Sequence, residues 1–179
     1  MIQIFHSTLR KTLLLLILIA LSACEEDSIN THSISNSPEI NSKNEKPQAK
    51  LETIKLYLGA TELTAEVADE NHERMSGMMY RTQMNENEAM LFVFPYAHQT
   101  GFWMKNTTIP LSIAYIDRSS RILEIHNLKP GNTNTVNSRS EKIMYALEVN
   151  KGWFKKNGIK PGTVIGTDKG ALAKSVQAR

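Results

Sequence analysis

One run of strict alternation, Leu111–Ile116, constrains this chain more than any other feature. Leu111, Ile113 and Tyr115 alternate with Ser112 and Ala114. That period-two pattern predicts a half-buried strand, with one face on a core and the other toward solvent. Ile109-Pro110 leads into it, and proline is tolerated there because the first strand residue need not donate to the ladder. Just upstream, Phe102, Trp103 and Met104 stand beside Lys105 and Asn106. Two rings and a cationic head in so short a stretch suit a binding lip or a core corner equally well.

The flanking sequence carries more strands of the same kind. Ile54, Leu56 and Leu58 alternate with Lys55 and Tyr57, Gly59-Ala60 turns, and Leu63, Ala65 and Val67 line a second run, which together predict a hairpin. Asp69 is placed to cap a short helix through Met75, with Gly77 as its stop. Met90–Phe94 is continuously apolar and is ended by Pro95, the profile of a strand buried on both faces. Arg121–Leu128 alternates and pairs naturally with Leu111–Ile116 across a turn at Arg118–Ser120. The polar segment Asn132–Glu141 is long enough to suspect a role. Ile143–Val149 is another strand, Asn150 caps a helical turn carrying Trp153 and Phe154, and Thr163–Thr167 is the last strand. Many short strands with close turn signals and one or two short helices predict a single all-β domain over residues 51–168. Residues 169–179 read as a frayed tail.

The first 23 residues do not belong to that domain. Arg10 and Lys11 precede a nine-residue apolar run, Leu13–Leu21, too short to span a bilayer and flanked as an export signal is. The segment ends in Leu21-Ser22-Ala23-Cys24, which resembles the bacterial lipobox, and Cys24 is the only cysteine in the chain. The expectation is a lipid-anchored protein of the bacterial cell envelope with its domain on the periplasmic or extracytoplasmic side. Acyl chains on Cys24 would hold it to the membrane, at about 0.8 kcal/mol per buried CH₂. Residues 24–50, rich in Ser and Asn and interrupted by Pro38 and Pro47, read as a flexible tether. Removing the leader leaves 19 Lys and Arg against 18 Asp and Glu, a balance that argues against a nucleic-acid binder. With Cys24 acylated, no intramolecular disulfide can form, and packing alone must stabilise the domain.

Three motifs carry a resemblance to a known family. They are Arg74-x-x-Gly77-Met78-Met79-Tyr80-Arg81, then Met90-Leu91-Phe92-Val93-Phe94-Pro95, then Phe102-Trp103-Met104-Lys105-Asn106-Thr107-x-Ile109-Pro110-Leu111. With Leu147-Glu148, Gly158-Ile159 and Gly162 they resemble the signature of the domain of unknown function 192 family over Leu51–Thr167. The resemblance implies a compact β-sandwich of jelly-roll type and no established activity. Ser112 and Thr163 stand where the family usually carries Asp.

Candidate chemistry is sparse. Arg74, Arg81, Lys105 and Asn106 could converge on an anionic or sugar ligand with Trp103 as a stacking platform, or the arginines could pair with Asp117, Glu124 or Glu148. Asp117 and Glu148 are candidates for an acid–base pair across neighbouring strands. Met75, Met78, Met79, Met84, Met90 and Met104, with His72 and His98, could offer thioether and imidazole ligands to Cu(I), or could fill an irregular core. His72-Glu73 lacks a histidine at position 76, no Gly-x-Ser-x-Gly elbow exists, and no cofactor motif is present. The expectation is therefore a monomeric binding or interaction module for a small polar or saccharide ligand or a partner protein. An enzyme acting on envelope glycans or small metabolites is the alternative.

Overall fold

The computed structural model describes residues 45–178. The leader, Cys24 and the tether up to residue 44 lie outside the described residues.

Among the described residues, ten strands and two α-helices follow one another. They are β1 (Thr53–Leu58), β2 (Thr61–Ala68), α1 (Asn71–Ser76), β3 (Glu88–His98), β4 (Gly101–Phe102), β5 (Leu111–Asp117), β6 (Ile122–Leu128), β7 (Val136–Asn137), β8 (Ile143–Asn150), α2 (Trp153–Lys156), β9 (Ile165–Thr167) and β10 (Gly170–Ala171). The fold is all-β. Eight strands form one sheet in the order β10-β9-β1-β2-β3-β8-β5-β6, while β4 and β7 pair separately. Only β2 and β3 run parallel, so the segment between them has to cross over rather than turn back. That crossover carries α1.

The two layers of the expected sandwich are one sheet curled until its ends meet. Arg121, at the start of β6, bridges Val164, just before β9. The Ile165 amide donates to the Ser120 carbonyl, and the Ile122 amide to that of Thr163. Leu56, Leu63, Leu91, Ile116, Leu147 and Ile165, from six different strands, pack together in the enclosed core. A second core lies on the outside of β3, β8 and β5, where Met90, Phe92, Ile113, Tyr115 and Ala146 are covered by Met78, Met104 and Ile109 from the connecting segments.

The two cores account for several departures from the sequence reading. Strand β5 is buried on both faces instead of one, because β8 and β6 flank it and each face looks into a core. Strand β3 continues through Pro95 to His98, with its pairing to β8 irregular between Val93 and His98. Proline is accommodated where the ladder is broken. The cap of helix α1 is Glu70 rather than Asp69: Glu70 and Glu73 form a reciprocal capping box, and the Glu73 carboxylate accepts the amides of Asp69 and Glu70. The polar segment 132–141 contains β7, and Gly101 stands opposite it, where a Cβ would force the Asn137 and Thr135 side chains to move aside.

The tail is not frayed. Gly170–Ala171 adds a strand to β9, and a 3-10 turn follows over Leu172–Lys174. Leu172 is fully buried, and its amide donates to Ser120 Oγ at 2.9 Å. Burial of a side chain of this size stabilises by about 1.5–3 kcal/mol, enough to hold a short segment down. At the other end, order begins before residue 51. Gln48 Nε2 donates to the carbonyls of Glu73 and Gly77, at 3.2 and 2.9 Å, where α1 ends.

Candidate functional site

The outer face of the sheet is where side chains gather without being fully covered. Among the described residues, four large hydrophobic side chains are substantially exposed, and Met75 (69 %), Tyr96 (65 %) and Trp103 (48 %) are three of them. All three line one cleft of about 440 Å³ together with Phe94, His98 and Phe102. Exposed apolar side chains scattered singly mean little, but a converging group rimmed by polar residues marks a binding surface.

Two other spaces share lining residues with that cleft. An inner cavity of about 40 Å³ shares Arg74, Met75, Phe92, Phe102 and Trp103 with it and ends on Glu148. On the far side of Trp103, a groove of about 740 Å³ runs past Met79, Tyr80, Lys105 and Asn106 to Pro47 and Gln48. Trp103 and Met75 thus stand at the junction of all three spaces.

Local structure explains why Trp103 stands there. It follows the two residues of β4, and the chain then turns through Asn106, whose φ is +54°. Asparagine tolerates that left-handed conformation better than most residues. Tyr80, at φ +63°, is held opposite. Its amide donates to the Asn106 carbonyl at 2.7 Å, and Asn106 Nδ2 donates to its hydroxyl at 2.6 Å. This reciprocal clip fixes the segment that presents Trp103 and Lys105. The Lys105 ammonium lies 5.4 Å from the Trp103 ring centroid, a cation–π contact.

The sequence-predicted residues therefore divide. Trp103, Lys105 and Asn106 meet in the outer groove, and Arg74 lies between the cleft and the inner cavity. The Arg74 guanidinium is engaged with backbone, Nη1 donating to the Asp69 carbonyl and to that of Val93 at 3.0 Å. Arg81 lines none of these spaces. It forms a two-pronged ion pair with Glu66 at 2.6 and 2.8 Å, and Glu66 also accepts the Leu51 amide. Its work is to pin the start of the domain to the segment after α1.

Asp117 and Glu148 are not a pair. In the ladder Glu148 stands opposite Ile113, while Asp117 stands opposite Ile143 at the other end of β8. Asp117 Oδ1 accepts the amides of Ser119 and Arg121 and the Ser119 hydroxyl, and so builds the β5–β6 turn. Glu124 likewise serves structure. Burial opposes its ionisation, yet the Ser140 amide, His126 and the Arg139 amide hold it below the usual carboxylate range. It anchors the segment after β7.

Glu148 is different. It lies on the outward face of β8 between Met90 of β3 and Ile113 of β5. It is 3 % exposed, and among the described residues no donor reaches its carboxylate. Burial alone pushes its pKa up to about 8, so the carboxyl is largely protonated at neutral pH. The methionines are mostly packing: Met78, Met90 and Met104 are buried in the outer core. No cluster of three His, Cys, Asp or Glu able to share a metal ion exists among the described residues.

Sequence reasoning missed Phe94 and Tyr96 as site residues, and it offers Met75 and His98 only as members of a methionine and histidine set. Pro95, taken as a strand end, hides the row that Phe94, Tyr96 and His98 make. The available signal is the period-two spacing of Phe94, Tyr96 and His98 across that proline, which sets three rings along one side of a strand that runs on. In the structure the His98 ring meets both others, with centroids 4.9 Å from Phe94 and 5.3 Å from Tyr96.

These features define a small, curled all-β domain with an aromatic-rimmed cleft on its outer face. The chain belongs to the domain of unknown function 192 family (DUF192, "Uncharacterized ACR"), which it matches over residues 54–167. Among solved structures it is similar to a "putative transcription regulator" from Sinorhizobium meliloti 1021, at 32% identity and a TM-score of 0.63, covering 67% of this chain and 97% of that one. It is also similar to a protein of unknown function from Novosphingobium aromaticivorans DSM 12444, at 28% identity and a TM-score of 0.62, covering 67% and 89%. No curated protein matches it.

Proposed function

We propose that this chain is an envelope lipoprotein, anchored through Cys24, whose domain binds a small ligand in the cleft beneath Trp103. The observation that carries this reading is the convergence of exposed Met75, Tyr96 and Trp103 on one concave surface leading down to Glu148. Exposing three large apolar side chains together lowers solubility and gains nothing for folding, whereas an occupied cleft recovers that burial. The near balance of basic and acidic residues supports no phosphate-binding surface, and the regulator description of the Sinorhizobium relative is not extended to this chain.

Tryptophan fluorescence provides the test. Trp153 is buried and Trp103 is half exposed, so a ligand in the cleft should shift mainly the Trp103 emission. Titration with a panel of envelope glycan fragments and small amines should give a saturable change that disappears in Trp103→Ala. A saturable change that survives Trp103→Ala, or none with any member of the panel, overturns the cleft.

An enzyme acting on envelope glycans is the second reading, and Glu148 favours it. A carboxyl kept protonated near neutral pH is what a general acid requires. Glycoside hydrolysis ordinarily needs a second carboxylate within about 10 Å, and Glu148 is the single carboxylate lining the inner cavity, the cleft and the groove. The binding reading therefore leads.

A further inference from the structure

We propose that the cleft is selective for small organic cations, with a primary ammonium head seated against Glu148 and the body of the ligand lying along Trp103. This rests on the binding reading above and narrows its ligand class. Three observations carry it.

The first is that Glu148 is more than nine-tenths buried, has no hydrogen-bond or ion-pair partner among the described residues, and lines the inner cavity. On a central strand between Met90 and Ile113, the ionised form of this carboxyl is costly without a counter-charge. A ligand cation would supply one.

The second is the chemistry of the walls. Phe92, Phe102 and Trp103 offer rings, and Met75, Met78 and Met79 offer thioethers. Ring faces attract a desolvated ammonium. A neutral sugar would leave its hydroxyls unpaired against such walls, which costs affinity for each one buried. An anion has a single guanidinium in reach, Arg74, and its Nη1 is already committed to the Asp69 and Val93 carbonyls.

The third is size. About 40 Å³ accommodates a head comparable to one or a few waters, which suits –NH₃⁺ and excludes a trimethylammonium group. The adjoining 440 Å³ cleft takes the rest of the ligand.

Among the described residues, two other charged or titratable groups stand near Glu148. Helix α1 contributes Arg74, which keeps its charge but does not enter the Glu148 shift, whose one cause is burial, and β5 contributes Tyr115, whose hydroxyl donates to the Val136 carbonyl. Strand β3 and the β4 segment present only Met90, Phe92, Phe102 and Trp103 toward it. Burial and the charges of Glu148 and Glu124 keep Tyr115 neutral throughout the accessible range. An ammonium ligand would bind to ionised Glu148 and expel its proton. Because the empty-site pKa is pushed up to about 8, affinity should rise about tenfold between pH 7 and pH 9, a window in which an alkylamine stays charged.

The experiment compares n-butylamine with n-butanol, and glucosamine with glucose, on the full mature domain by Trp103 fluorescence and calorimetry. The expected result is amine binding at least about tenfold tighter than the alcohol, strengthening from pH 7 to pH 9 for butylamine, and loss of that preference in Glu148→Gln. Thermal melting verifies that Glu148→Gln folds, and the wild-type amine/alcohol comparison and pH profile stand without it. Butylamine against glucosamine separates a plain amine from an amino sugar as the source of the head. Equal affinity for amine and alcohol, a flat pH profile, or an unchanged preference in Glu148→Gln overturns the cation assignment and leaves the cleft. Absence of any Trp103 response, to these probes and to the glycan panel alike, overturns the cleft itself.

Discussion

Arg81 and Lys105 are both cations beside apolar surface, and the structure gives them opposite tasks. Arg81 shares a carboxylate, Glu66, with both side chains mostly enclosed (17 % and 11 % exposed). Lys105 is exposed and rests on a ring. Replacing Arg81 with Met keeps the stem but leaves Glu66 enclosed without its counter-charge, only the Leu51 amide remaining, at a cost of about 3–5 kcal/mol. Thermal unfolding should show Arg81→Met losing at least about 10 °C and Lys105→Met losing little more than about 2 °C. Comparable losses would mean that Lys105 is scaffold as well. Sequence alone could name these residues but not separate them. The partner of Arg81 is 15 positions away on a strand whose register only the assembled sheet defines. The isolation of Glu148 was invisible for the same reason, since Met90 and Ile113 become its neighbours only when three strands pair.

At the scale of elements, alternation located the strands well and their surroundings poorly. Periodicity reports which residues share a face, but not whether a second core covers the other face. Strand β5 shows the difference. Ser112, on the face expected to be solvated, is buried, its hydroxyl donating to Asn127 Oδ1 at 2.7 Å and accepting the Gly152 amide at 3.0 Å. It therefore ties β5 to β6 and to the start of α2, and it does at this position what an acidic acceptor would do for the Gly152 amide. Ser112→Ala should cost about 1–3 kcal/mol by leaving that amide and Asn127 without a partner. Ile113→Ala should cost about 2–5 kcal/mol through the cavity it opens. Urea unfolding of the two variants checks both figures. A loss below about 0.5 kcal/mol for Ser112→Ala would show that water reaches the site. Strand β3 misleads in the opposite way: Pro95 looks like a terminus because its tolerance depends on an irregular ladder, which no local pattern announces.

For the whole molecule, the leader and Cys24 carry the proposal about where the cleft works. Export and lipid attachment are separate inferences, and one variant distinguishes them. Cys24→Ser should abolish incorporation of labelled palmitate and move the protein out of the membrane fraction, or leave it as an uncleaved precursor. A wild-type protein that takes up no palmitate would remove the anchor and leave the domain's cleft untouched.

The sheet order also sets the sequence of events by which the molecule assembles. Strands β1 to β3 form one neighbouring set and β5 with β6 another, and β8 lies between them, bonded to both β3 and β5. A chain delivered from its N-terminus thus makes two incomplete pieces, each with an open edge, that cannot join until residues 143–150 arrive. Pairing over such long sequence separations is slow, and open edges in the waiting pieces invite contact with other chains. The clock for folding starts late in this protein, and the eight residues of β8 start it.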